Sequence, residues 1–225
     1  LVAAVVPSVA FLLLRLAALR EIGRHAAPAP VLPPGLARHR PGDLPVYSVL
    51  VPLYREAEVV PQLLDALDRL DYPRSRLDIL LLVEEDDRAT KEAIERHPRG
   101  EHIRVAVLPD GQPRTKPRAL NYGLALSRGA YVVVYDAEDQ PEADQLQKAL
   151  AVFSRADERL GCRQARLNIY TPDASGLTRL FTLEYSALFD GVLPVLQRWG
   201  LPIMLGGTSN HFPRAALEAV GGWDP

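Results

Sequence analysis

With 225 residues, 48% of them hydrophobic, and a formal net charge of −2, the chain is long enough for one globular domain with a sizeable core. Its charge is too balanced for general nucleic-acid affinity. A single cysteine, Cys162, excludes an intramolecular disulfide framework and fits a reducing compartment, where burial is its expected role.

Leu1 to Leu14 carry no charge, and apolar residues continue through Leu16 to Leu19 despite Arg15. This run is near the minimum for a membrane span and is expected to be part of a transmembrane helix over residues 1–22 whose beginning precedes Leu1. An amphipathic surface helix is the competing reading; a signal-peptide core is disfavoured because the positive charge is on the wrong side. Arg15, Arg20, Arg24 and His25, then Arg38, His39 and Arg40 in a Pro-rich basic linker over 23–46, mark the cytoplasmic side. The domain from Tyr47 onward is therefore expected to be cytoplasmic, against the inner (plasma) membrane.

From Tyr47 the pattern alternates. Tyr47 to Val51 reads as a strand ending at Pro52, and Val59, Val60, Leu63, Leu64, Leu67 and Leu70 recur at helical spacing until Tyr72-Pro73. Strands follow at Ile79 to Val83, Ile103 to Val107 and Tyr131 to Tyr135, with helices at Ala89 to Arg96, Pro117 to Ser127 and Pro141 to Phe153. This succession implies an α/β fold with a mostly parallel sheet and helices on both faces. A long apolar helix over Leu177 to Trp199 shows Leu180, Phe181, Leu188, Val192, Leu196 and Trp199. It suits either core packing or a bilayer interface.

The strand ends carry the chemistry. Ala130 to Tyr135 breaks into Asp136-Ala-Glu138-Asp139, and on an extended segment residues two apart point the same way, so Asp136 and Glu138 can converge on one cation. A hard divalent metal with a phosphate-bearing ligand fits; so does a plain acidic turn. Ile79 to Val83 runs into Glu84-Glu85-Asp86-Asp87, a self-repelling quartet that needs compensation by solvent, a cation or donors. It also suits a loop capping the helix near Thr90. Between these ends, Arg114, Lys116 and Arg118 stand at a helix start, which reads equally as a phosphate site or a solvated basic loop. His211, in Thr208-Ser-Asn-His-Phe212, lacks a second His or Cys at ligand spacing, so zinc is not expected and a loop hydrogen-bonding role is.

Val51-Pro-Leu-Tyr-Arg-Glu56, Val83-Glu-Glu-Asp-Asp87, Lys116-Pro-Arg-Ala-Leu-Asn121, Asp136-Ala-Glu138 and Gly206-Gly-Thr208, in that order, resemble the signature of family-2 glycosyltransferases, most closely the processive, membrane-embedded, cellulose-synthase-like branch. The resemblance runs from Tyr47 to the end of the sequence and implies a GT-A-like (Rossmann-like) catalytic domain over 47–225. It implies that Pro52, Tyr54 and Glu56 border a nucleoside and that Glu85 hydrogen-bonds its uracil. Lys116 would lie by the diphosphate, Asp136 and Glu138 would hold Mg²⁺ or Mn²⁺, and Gly206, Gly207 and Thr208 would cradle the acceptor sugar. Glu stands at 84, 85 and 138 where the family has Asp, and Asp139 is an alternative metal ligand.

The function so implied is inverting hexosyl transfer from a UDP-sugar to a growing β-linked glycan at the cytoplasmic membrane face, with no nucleic-acid partner and with the bilayer and membrane-complex subunits as partners. The family's general base follows the Gly221-Gly222-Trp223 segment and is expected beyond Pro225, so residues 1–225 alone are expected to bind donor without transferring it. Arg198-Trp199 imitates a later family motif but precedes the acceptor loop and reads as a helix end. A sugar-nucleotide nucleotidyltransferase and a non-catalytic nucleotide-sugar-binding protein are the alternatives.

Overall fold

The fold was analysed in a computed structural model that describes residues 2–22 and 43–225. These form two compact units, one of residues 43–164 and 206–225, the other of 2–22 and 165–205. Most of the basic linker, including Arg24, His25, Arg38, His39 and Arg40, lies outside the described residues.

The larger unit is built on a six-stranded sheet. In chain order its elements are β1 (Tyr47–Leu53), α2 (Val60–Asp68), β2 (Leu77–Glu84), α3 (Arg88–Arg96), β3 (Ile103–Leu108), α4 (Lys116–Leu126), β4 (Tyr131–Val134), α5 (Gln145–Phe153), β5 (Arg163–Gln164), β6 (Asn210–Pro213) and α8 (Arg214–Ala219), while α1 (Val2–Ile22), α6 (Gly176–Ser186) and α7 (Leu193–Arg198) belong to the other unit. The strand order is β3-β2-β1-β4-β6-β5. β1 to β4 run parallel to one another, and β6 runs antiparallel to both of its neighbours, β4 and β5.

Strand alternation divides the core. Val49, Val51, Ile79, Leu81 and Val83 face one way and meet Leu63, Leu64 and Leu67 of α2, Ile94 of α3 and Leu146 of α5. Leu50, Leu80, Leu82, Val132 and Val134 face the other way, against Ala119, Leu120 and Leu124 of α4 and Leu217 of α8. Helices on both faces account for the unbroken apolar runs of the central strands, which have no solvent side. At the strand beginnings one polar hub interrupts this core. The carboxylate of Asp78, fully buried, accepts from the Ser48 hydroxyl at 2.9 Å, the Arg104 guanidinium at 2.6 and 3.1 Å and the Arg128 N–H at 2.8 Å.

Two of the expected boundaries move, and two strands are added. β1 continues through Pro52 to Leu53, because the Leu50 carbonyl, the previous group facing β4, already pairs with Tyr135 N–H where β4 stops. The missing proline N–H therefore faces a side with no strand beside it. α5 begins at Gln145, four residues after Pro141. β5 and β6, absent from the sequence reading, extend the sheet beyond β4.

The smaller unit contains α1 (Val2–Ile22), α6 (Gly176–Ser186), a π-helical turn (Ala187–Val192) and α7 (Leu193–Arg198). The expected single helix over Leu177 to Trp199 is thus one helical run with a π turn inside it. That turn shifts the side-chain register, so Val192, Leu193 and Val195 are buried while Leu177, Leu180, Phe181 and Leu183 are exposed. Ala18 of α1 packs with Val192 and Val195, and Arg15 pairs with Glu184 at 2.6 Å. Among the described residues no helix is long and apolar enough to cross a membrane.

Candidate functional site

The strand order reverses between β1 and β4, and at that switch point the carboxyl ends of the strands open into a cleft of about 280 Å³. Pro52, Leu53, Tyr54 and Glu56 from the β1 end, Glu84 from the β2 end, Arg114, Thr115 and Lys116 from the α4 start and Asp136 from the β4 end all line it. Residues far apart in sequence, linked there only by the order of their motifs, therefore line one cleft.

Asp136 is the centre of the polar geometry. Its carboxylate accepts from the Lys116 ammonium, which also donates to the Gly207 carbonyl at 2.6 Å. One cation thus ties the β4 end to the loop that enters β6. α4 presents Lys116 there because Thr115 caps the helix, its hydroxyl accepting the Arg118 N–H, and Pro117 occupies a first-turn position that needs no N–H partner.

The other two basic residues of this segment are engaged differently. Arg118 reaches both carboxylate oxygens of buried Glu84, at 3.1 and 3.3 Å, and Arg114 pairs with Asp86 at 2.7 Å and Asp110 at 2.8 Å. They are the compensation that the acidic quartet requires. Glu85 is exposed, accepts the Asp110 N–H at 3.2 Å, and is not among the residues lining the cleft, whereas Glu84 is. Asp87 caps α3 through Thr90 N–H at 3.2 Å, as the helix-capping alternative anticipates.

The acidic turn after β4 is divided in its tasks. Glu138 is exposed, but the Asp139 carboxylate turns inward to accept from Asp136 N–H at 2.8 Å and from the Thr208 hydroxyl. Burial pushes the Asp139 carboxyl above its ordinary range, and those two donors oppose the shift only in part. Thr208, also buried, accepts Asp136 N–H at 3.2 Å, so its hydroxyl shapes the turn, while the Gly206 carbonyl accepts from Asn210. Among the described residues no three His, Cys, Asp or Glu side chains are grouped to hold a metal. A divalent ion here would rest on Asp136, with exposed Glu138 nearby in sequence, and would need its remaining oxygens from a ligand and water.

One feature escaped the sequence reading and another differs from it. Asn121 donates to the Trp223 carbonyl at 2.6 Å and accepts the Trp223 N–H at 2.9 Å. Gly222, at φ +84°, lies where a Cβ would come within 2.4 Å of the Asn121 oxygen, so only glycine fits. His211 is a buried β6 residue, not a loop residue; its Nδ1 is 2.8 Å from the Tyr47 hydroxyl. The neighbours Asn210 and Phe212 continue a strand that pairs with β4, which removes the imidazole from any loop role.

Burial, with Arg163 adding to it, lowers the His211 pKa to about 3. The unfolded chain binds this proton near pH 6.5 while the folded chain refuses it. Stability is therefore complete above pH 6.5 and is lost as pH falls toward 3, at up to about 1.4 kcal/mol per pH unit. Urea unfolding at pH 7 and pH 5 should differ by about 2 kcal/mol on this account, and His211→Gln should remove most of the difference. Cys162 is only partly buried, and burial pushes its thiol up to about 12, so it is a packing residue.

A mostly parallel sheet covered by helices on both faces, with a polar cleft at its switch point, defines an α/β domain of the doubly wound kind. Within that class the chain belongs to the glycosyltransferase like family 2, whose model matches residues 45–225. The chain is 28% identical over 184 residues to the probable glycosyltransferase YdaM of Bacillus subtilis, covering 81% of this chain and 44% of that protein. It is 28% identical over 189 residues to glucomannan 4-beta-mannosyltransferase 2 of Arabidopsis thaliana, covering 80% of this chain and 35% of the relative. It is 29% identical over 189 residues to the beta-monoglucosyldiacylglycerol synthase of Nostoc sp., covering 81% and 39%. The chain thus spans less than half the length of these relatives.

Among solved structures, the mannosyltransferase PcManGT from Pyrobaculum calidifontis, in complex with GDP-Man and Mn²⁺, superposes with a TM-score of 0.65 at 24% identity, covering 98% of this chain and 58% of that one. S. aureus TarS 1-349 in complex with UDP-GlcNAc gives 0.52 at 18% identity, over 80% and 48%. These likenesses establish the GT-A-like fold.

Proposed function

We propose that the full-length protein transfers a hexosyl unit, with inversion, from a UDP-sugar to a growing glycan at the cytoplasmic face of a membrane, as a member of the cellulose-synthase-like branch. The observation that carries this reading is the meeting of Asp136, Lys116 and Gly207 at the rim of a cleft whose other wall is Pro52, Tyr54 and Glu56. A sugar nucleotide has the matching parts: a flat base for the Tyr54 side, a diphosphate for Lys116 and a metal on Asp136, and a sugar directed toward the Gly206–Gly207 loop.

A Mg²⁺ or Mn²⁺ ion held by Asp136, with Glu138 as second ligand, would neutralise the leaving diphosphate. Lys116 supplies the same phosphates with a positive charge that stabilises the negative charge growing on them. Pro52 and Tyr54 exclude water from the base side. The exposed apolar residues of α1 and α6, among them Phe11, Leu12, Leu13, Leu180 and Phe181, support placement at a bilayer.

The test is to reconstitute the full-length protein in lipid and supply UDP- and GDP-linked hexoses with Mn²⁺. Sugar transfer with release of UDP is the expected outcome. Release of pyrophosphate when UTP and a hexose 1-phosphate are supplied in their place would make the protein a nucleotidyltransferase, use of GDP-sugars alone would reassign the base pocket, and binding of the sugar nucleotide without any turnover would leave a non-catalytic binding protein.

A further inference from the structure

The turn after β1 holds a conformation that its own sequence does not favour. Arg55 has φ +61°, in the left-handed region where a residue with a Cβ is strained, and it sits between Tyr54 and Glu56, both of which line the cleft. No glycine or asparagine relieves the strain, so something outside the turn must hold it.

That support comes from the β2–α3 connection. The two carboxylate oxygens of Asp87 do separate jobs. Oδ1 accepts the Thr90 N–H at 3.2 Å and caps α3, and Oδ2 accepts the Arg55 N–H at 2.5 Å. The Thr90 hydroxyl then accepts the Glu56 N–H at 3.0 Å. Two consecutive N–H groups of the strained turn are thus tied to one helix start. The Arg55 guanidinium lies over the Tyr54 ring at 5.0 Å, and its charge also favours the ionised Asp87. Burial alone would push the Asp87 carboxyl up, but the N–H donors from Arg55 and Thr90 and the Thr90 hydroxyl hold it below its ordinary range. It stays ionised and can serve both donors.

We propose that Asp87 is a positioning residue for nucleotide recognition: by bracing Arg55 in the left-handed conformation it sets the directions in which Tyr54 and Glu56 enter the cleft. The proposal rests on the cleft taking a nucleoside diphosphate. Asp87 itself touches no ligand; its effect is to have the wall formed before the nucleotide arrives, so that ordering the turn does not weaken binding.

The experiment is a double-mutant cycle on the full-length protein, with UDP and Mn²⁺ as probe and thermal unfolding recorded in parallel. Asp87→Ser retains a helix-capping oxygen but cannot serve Arg55 as well. Arg55→Gly lets the turn adopt φ +61° without support. Asp87→Ser should raise the UDP dissociation constant about tenfold in the wild-type background but only about twofold in the Arg55→Gly background, since the brace then has little strain to oppose. Equal losses in both backgrounds, or a lowered melting temperature with unchanged UDP affinity, would mean that Asp87 only caps α3 and would overturn the proposal. Absence of UDP binding by the wild type would instead overturn the assignment of the cleft, and this proposal with it.

Discussion

Asp136→Asn is expected to weaken UDP binding in the presence of Mn²⁺ by about 100-fold or more, and to leave the residual binding indifferent to chelator. The reasoning is electrostatic. Asp136 lines the cleft and accepts from Lys116, so a metal docking there exchanges one positive partner of the carboxylate for another. Without a diphosphate, the ion gains little from that exchange. With one, a metal held by Asp136 would neutralise the diphosphate charge while Lys116 donates to the phosphate oxygens, so that both cations would have anionic partners. Mn²⁺ alone should accordingly bind poorly, and UDP should bind poorly in chelator. The asparagine variant keeps the size of the side chain but removes its charge, which leaves Lys116 and the metal in competition for the phosphate. Calorimetry with UDP, with and without Mn²⁺, on wild type and Asp136→Asn decides the matter. Unchanged affinity in the variant, or equal wild-type binding in chelator, would refute the metal role of Asp136.

What the sequence revealed and what it concealed follow from the range of the interactions involved. The strands β1 to β4 were legible because burial on both faces requires unbroken apolar runs, and their carboxyl ends because those runs break into Pro52, Glu84 and Asp136. The convergence of Lys116 with Asp136 was legible only as a motif order, since 20 residues and a strand separate them. β6 was not legible. Asn210-His-Phe-Pro213 has neither alternation nor an apolar run, and it is a strand because β4 offers it a free edge.

The division of labour among like residues was also hidden. Arg114, Lys116 and Arg118 look equivalent along a helix start, yet only Lys116 reaches Asp136, because the neighbouring β2 end supplies Glu84 and Asp86 to the other two. Likewise Asp139 resembles a metal ligand in sequence, but a Thr208 hydroxyl 69 residues away turns its carboxylate inward. Such choices depend on partners brought by tertiary packing, which local spacing does not encode.

At the opposite ends of the strands, Asp78→Ala should cost about 3 kcal/mol of stability without changing the nucleotide affinity of the folded protein. Asp78 has no exposed side-chain surface, and its carboxylate is the acceptor shared by Ser48, Arg104 and the Arg128 backbone. Burial alone would raise its pKa, but these donors bring it below the ordinary carboxylate range. Removing the carboxylate leaves the Ser48 hydroxyl short of an acceptor inside the protein and the Arg128 N–H with only its longer bond to the Ser48 oxygen, at 3.3 Å, an unrelieved group costing about 1–3 kcal/mol. The arginine partners are partly solvated, with Arg128 65% exposed, so they can turn to water, which keeps the total near the lower end of what breaking a buried ion pair costs. Asp78→Asn should be nearly as harmful, since its amide N–H₂ would face the guanidinium donors it replaced an acceptor for. Urea denaturation of both variants, with UDP titration at a temperature where they remain folded, is the check. A loss below about 0.5 kcal/mol would show that the hub is dispensable, and a fall in UDP affinity of the folded variants would show that the two ends of the sheet are coupled.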